Sequence, residues 1–182
     1  MIVCLAWGSL IWDPRELPLA SEWRHDGPML PIEFARQSSD GRITLVVTPA
    51  AKEIKVLSAN LRIKNLDEAR EKLAAREGIS LKYMSRSVGH WSPNSSSDHE
   101  HSDAIGRWAA ASDLDGVVWT ALKPKFENSY QTPTESQVIE YLKALKGETA
   151  AKAEEYVRRT PHQVQTTYRD KIEKELNWLP SS

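Results

Sequence analysis

The stretch Ile2-Val3-Cys4-Leu5-Ala6-Trp7-Gly8-Ser9-Leu10 decides the fold of this chain. Six apolar residues run without a break into a glycine turn. A strand with one face in water alternates apolar and polar residues, so an unbroken run marks a strand buried on both faces. The turn after it carries Gly8, which lets backbone come close to a neighbouring group, and Ser9, which adds a hydroxyl. Successive N–H groups in such a turn can form a nest for a carboxylate or an oxyanion. The same residues also suit a plain tight turn with no ligand.

Further along the chain, prolines at 14, 18, 28 and 31 make residues 13–31 an irregular connection. Residues 31–36 alternate as a half-buried strand, Ser38-Ser39-Asp40-Gly41 turns, and residues 42–48 return as its partner. Residues 54–63 read as a further strand. The period then becomes helical. Asn65 is placed to cap a helix with Glu68 in capping-box position, Leu66, Ala69, Leu73 and Ala74 share a face, and Gly78 stops it. Residues 79–88 suit another strand, 92–103 a Ser- and His-rich exposed loop, and 117–122 a strand stopped by Pro124. Thr134 with Gln137 opens a helix that Gly147 ends. Stretches 149–159 and 162–178 are helical too, separated by Pro161.

Strands thus dominate the first two-thirds, and about 134–178 forms a helical C-terminal part. That segregation predicts an α+β fold and one domain spanning 1–182. The totals agree: 182 residues, 40% hydrophobic and 27% charged, suit a single domain with a real core. A net charge of −1 predicts no nucleic acid among the partners. No apolar run is long enough to span a bilayer, so no membrane partner is expected. Cys4 is the sole cysteine, which rules out an intramolecular disulfide and suits the reducing cytoplasm.

Three groups can carry chemistry. Glu77 ends the helix, where the dipole disfavours a charged carboxylate; partial burial there would raise its pKa and make it a proton shuttle. Taken alone, it reads first as an exposed helix-end residue, and Arg76 beside it either pairs with it or points away. The run Asp98-His99-Glu100-His101-Ser102-Asp103 gathers nitrogen and oxygen ligands, but a metal site needs its ligands locked, so a solvated loop is expected and no metal. Cys4, inside an apolar strand, reads as an inert core thiol rather than a nucleophile.

The turn and the helix-ending glutamate together resemble the gamma-glutamylcyclotransferase-like superfamily. Its first strand ends in Tyr-Gly-Ser-Asn or Tyr-Gly-Ser-Leu, and here the chain reads Trp7-Gly8-Ser9-Leu10. The run Gly8-Ser9-Leu10-Ile11-Trp12 followed by Pro14 is similar to the glutathione-degrading branch. Its second mark, a catalytic glutamate at the end of a central helix, is matched by Arg76-Glu77-Gly78-Ile79.

The resemblance implies a mixed β-barrel with a central helix and C-terminal helices. It implies conversion of a γ-glutamyl amide (glutathione, a γ-glutamyl peptide or a γ-glutamylamine) to 5-oxoproline and a free amine, with no cofactor. Glu77 is then the general acid/base, and Trp7, Gly8, Ser9, Leu10, Tyr83 and Tyr130 bind substrate. Two other classes stay open: a non-catalytic protein of the same fold that binds a small ligand or a partner, and an amide hydrolase or other transferase using the same turn and acid.

Overall fold

The computed structural model describes residues 1–181. By its contacts the chain divides into two compact units. The first unit comprises Met1–Ala6, Asp13–Leu30 and Lys55–Leu122; the second comprises Trp7–Trp12, Pro31–Ile54 and Lys123–Ser182.

The first unit is built on a five-stranded sheet. Its strands are β1 (Ile2–Ala6), β5 (Leu57–Asn60), β6 (Val88–Ser92), β7 (Ser95–Ser96) and β8 (Gly116–Thr120), in the order β5-β1-β8-β6-β7. All five residues of β1 are buried, as the unbroken apolar run requires. β1 pairs antiparallel with β5 and parallel with β8, Ile2 opposite Gly116 and Cys4 opposite Val118. A parallel neighbour demands a crossover, and helices supply it. Helix α1 (Leu66–Arg76) packs on β8 and β6, and helix α3 (Ser102–Ala111) packs on β6 and β8. The short α2 (Met84–Ser87) lies between them in sequence.

The second unit holds a three-stranded sheet in the order β3-β2-β4. β2 (Met29–Gln37) enters it from Pro31 onward, β3 (Ile43–Val47) pairs antiparallel with it, and β4 (Glu53–Lys55) lies on its other side. The turn between β2 and β3 closes with the Ser38 N–H on the Arg42 carbonyl at 2.9 Å. Three helices follow, α4 (Glu135–Ala144), α5 (Gly147–Arg159) and α6 (Thr167–Leu176), and α4 packs on α6. Thr134 and Gln137 form the complete capping box of α4. Among the described residues, no helix is long and apolar enough to cross a membrane.

Among the described residues the architecture is therefore mixed α and β with six helices and two sheets, each an open ladder, and the expected closed barrel is not formed. In the larger, one edge strand is β7, two exposed residues long, which offers too little backbone to close a ring.

Local expectations shift as well. Residues 54–63 make two strands in different sheets. The alternation breaks where Val56 and Leu57 are buried in succession, and the Val56 N–H goes to Pro28 instead of a ladder. Residues 79–88 are a 3-10 turn (Leu81–Tyr83) and α2, with only Val88 opening β6. Leu81 and Tyr83 are exposed and have no sheet to cover. Residues 92–103 are not a loose loop. Trp91 pairs with Ser96 in a hairpin, and Ser97 Oγ takes the His90 N–H at 3.0 Å. Ser102 Oγ donates to the His99 carbonyl at 2.7 Å as α3 begins. At the end of α4 the helix stops at Ala144, and Gly147 opens α5 rather than closing α4.

β2 is not half-buried, because Glu33 lies inside at 2% exposure. Its carboxylate accepts from the Thr166 hydroxyl, from the Phe34 N–H at 2.9 Å and from the Tyr168 N–H at 3.2 Å. The N-terminus of α6 thus receives a carboxylate from 133 residues away, where the helix dipole favours one. Burial pushes the Glu33 carboxyl up, against the opposing pull of these hydrogen bonds.

A carboxyl raised in the folded state binds its proton more readily there than in the unfolded chain. Its contribution is full below the ordinary value of about 4.3 and is lost as pH rises through the folded value. Glu33→Gln removes the titration. The stability of Glu33→Gln relative to the wild type should therefore rise between about pH 4.3 and 7. Thermal unfolding across that range checks this; a relative stability that stays flat or falls contradicts it.

Candidate functional site

In the first unit, α1 delivers Glu77. Asn65 accepts the Glu68 N–H at 3.0 Å and starts the helix. Gly78, at φ +68, ends it: its N–H bonds to Ala75 and that of Ile79 bonds to Ala74, the paired pattern of a Schellman stop. Glu77 is the residue capping the helix, with its side chain 18% exposed. One carboxylate oxygen, Oε1, accepts from Arg76 Nη1 at 2.9 Å and from Thr120 Oγ1 at 3.3 Å. Thr120 is the last residue of β8, and continuing the β1–β8 register by two brings Ala6, the last of β1, opposite it. The carboxylate therefore sits at the carboxyl ends of the two central parallel strands, where open sheets with helical crossovers bind ligands.

Arg76 holds this corner together. Its side chain is 5% exposed. Nε and Nη2 donate to the Asp13 carbonyl at 2.9 and 2.6 Å, which pins the chain where it re-enters this unit. The Arg76 carbonyl, one of those left over at the helix end, accepts from Arg15 Nη1 at 3.2 Å. The guanidinium places positive charge beside a carboxylate at the negative end of a helix, where that carboxylate alone would be unfavourable. Of the two alternatives open for Arg76, the structure shows pairing.

Cys4 lies fully buried in β1. Burial first, and the Glu77 charge second, push its thiol far above the ordinary range, so it is no nucleophile. Tyr83 is 47% exposed on its 3-10 turn, with Lys82 Nζ 4.7 Å and the Arg86 guanidinium 6.0 Å from the ring centre.

In the second unit, residues 7–12 form a compact turn in which the Ile11 N–H donates to the Gly8 carbonyl at 3.0 Å. Trp7 and Leu10 are buried, and Ser9 is half-buried. The Trp7 indole N–H donates to the Leu45 carbonyl at 3.3 Å, so this tryptophan uses its one polar atom on backbone. Tyr130, at 75% exposure, stands near Arg36.

Among the described residues, no three His, Cys, Asp or Glu side chains gather as a metal site. His99 Nδ1 instead shares a hydrogen bond with Ser97 Oγ at 2.8 Å. Sequence reasoning missed two residues. Thr120 is a polar residue ending an apolar strand, a weak signal. Tyr156 belongs to the buried stripe Ala153, Tyr156 and Val157 of α5, and its position against Gly8 had no local sign. Compared with known families, curated proteins and solved structures, the chain matches none.

Removing Arg76 strands both the Asp13 carbonyl and the Glu77 carboxylate. Arg76→Met should lower stability by about 3–5 kcal/mol in urea unfolding, the range for breaking a buried pair from one side. A loss under about 0.5 kcal/mol, as for an ordinary surface change, would contradict this role.

Proposed function

We propose that the protein is a γ-glutamylcyclotransferase-type enzyme with Glu77 as its general acid/base. One observation carries the reading. A half-shielded carboxylate is held at the carboxyl ends of β1 and β8, fixed through one oxygen by Arg76 and Thr120. The resemblance of Trp7-Gly8-Ser9-Leu10 and of Glu77-Gly78 to the family supports it.

The reaction is an internal aminolysis. The α-amino nitrogen of the γ-glutamyl group attacks its own γ-carbonyl carbon, forming the C–N bond of a five-membered lactam. The bond to the leaving nitrogen then breaks, and 5-oxoproline and a free amine result. Tethering both reacting groups in one molecule removes most of the entropic barrier once the chain is held folded. The attacking amine must lose a proton and the leaving amine must gain one. Glu77 takes the first and returns it to the second. The resemblance assigns the N–H groups of Gly8, Ser9 and Leu10 to the substrate carboxylate and Trp7 to substrate binding. The resemblance assigns Tyr83 and Tyr130, both exposed, to substrate binding as well. The substrate is a small γ-glutamyl molecule, and the chemistry needs no cofactor.

One observation favours a second reading. Glu77 Oε1 is committed to Arg76 and Thr120, the arrangement of a purely structural helix cap. In that case the protein binds a small ligand or a partner without turnover.

Glu77→Gln separates the two. The amide keeps an acceptor for Arg76 and Thr120 but cannot carry the proton. The enzyme reading predicts retained binding of a γ-glutamyl compound by calorimetry and a loss of 5-oxoproline release of at least about a hundredfold. Undiminished release would remove Glu77 from the mechanism.

A further inference from the structure

Leu45 lies on β3, an edge strand, opposite Phe34 of β2. Its N–H donates to the Tyr156 hydroxyl at 3.2 Å, and its carbonyl accepts from the Trp7 indole at 3.3 Å. Both backbone groups therefore point away from β2, the arrangement of a non-hydrogen-bonded pair in an antiparallel ladder. Leu45 is buried at 5% exposure, so neither group can turn to bulk water. Buried peptide groups need partners, and an open strand edge invites pairing with another chain. Trp7 and Tyr156 fill both needs with side chains.

The Tyr156 ring is itself fixed. Trp12 and Phe34 meet it edge-on, with centres 5.4 and 6.2 Å away, and the Arg42 guanidinium stands 5.4 Å from its centre. Its hydroxyl lies against Gly8. A Cβ on residue 8 would overlap that oxygen, whereas the next atoms it would meet, Tyr156 Cζ at 3.5 Å and Leu45 Cβ at 4.0 Å, are at ordinary contact distance. Gly8 is not among the glycines at positive φ. One hydroxyl, and not a left-handed backbone, makes glycine necessary here.

We infer that Tyr156 is a positioning residue for the Gly8-Ser9-Leu10 turn. Its hydroxyl, seated on the Leu45 amide, fixes where the Gly8 backbone lies and so where the following N–H groups point. The functional half of this inference rests on the cyclotransferase reading, which assigns those N–H groups to the substrate carboxylate. The contact itself does not depend on that reading.

A double-mutant cycle tests it. Gly8→Ala drives a methyl onto the hydroxyl, and Tyr156→Phe leaves the Leu45 amide unpaired; each should lower Tm by about 3–8 °C. In the double variant the obstructing oxygen is gone. Its Tm should match that of Tyr156→Phe alone, and if Gly8→Ala does not fold, the double variant should. Additive losses, or a double variant that also fails to fold, overturn the inference.

Turnover of a γ-glutamyl peptide tests the functional half. Tyr156→Phe should raise KM by about tenfold with kcat changed less, since binding of the carboxylate is what the turn supplies. Unchanged KM overturns the positioning role even if Tm falls. A wild type that releases no 5-oxoproline removes the cyclotransferase reading, and the thermal cycle still decides the contact.

Discussion

The parallel pairing of β1 with β8 is the constraint on which the first unit depends. Two parallel neighbours cannot be joined by a hairpin, and the chain between them must return through crossovers. It does so with β5, α1, β6, β7 and α3, and α1 and α3 both pack on strands of this sheet. The pairing aligns the carboxyl ends of both strands. The last turn of α1 then sets Glu77 on Thr120. Every residue of β1 is buried, and each side chain of leucine or isoleucine size so covered contributes about 1.5–3 kcal/mol. A polar residue in β1 would disturb the register on which the Glu77 corner is built.

Two shielded carboxylates show how environment sorts chemistry. Glu33 is 2% exposed and is held by a hydroxyl and backbone N–H groups at the start of α6. No substrate can reach it, and its work is to join β2 to a helix. The Glu77 side chain is 18% exposed and shares its Oε1 with a guanidinium and a hydroxyl. It is fixed in direction and keeps part of its surface exposed, as the proposed proton transfer would need. Cys4, close enough to feel the Glu77 charge, is kept protonated by its burial and by that charge. The nucleophile in the proposed reaction is accordingly the substrate's own amine.

The features legible in the sequence were those with local chemistry. The continuous run at 2–6 gave a buried strand, and Asn65, Glu68 and Gly78 marked both ends of α1, because caps and stops act within a turn of backbone. The hairpin at 38–42 followed from its Asp-Gly pair. Residues 79–88, expected as a strand, instead form a 3-10 turn and α2, with Leu81 and Tyr83 exposed. The barrel failed for a non-local reason: nothing in the chain announces that β7 is two residues long or that β4 and β5 part at Val56. At the site, Glu77 could be found from its place at a helix end. Thr120 lies 43 residues from it, and Tyr156 lies 111 residues from Leu45. Those partners are chosen by topology, and pattern reading has no access to topology.

The central claim is that the chain closes a γ-glutamyl group on itself, and the product formed by the wild-type protein is the most direct measure of it. Incubation of the purified protein with glutathione, a γ-glutamyl dipeptide and a γ-glutamylamine, followed by chromatographic identification of the glutamyl product, distinguishes the possibilities. The account predicts 5-oxoproline and the matching free amine in equal amounts from at least one of the three. Free glutamate would identify a hydrolase, and no conversion of any of them would remove the cyclotransferase reading; either result contradicts the account.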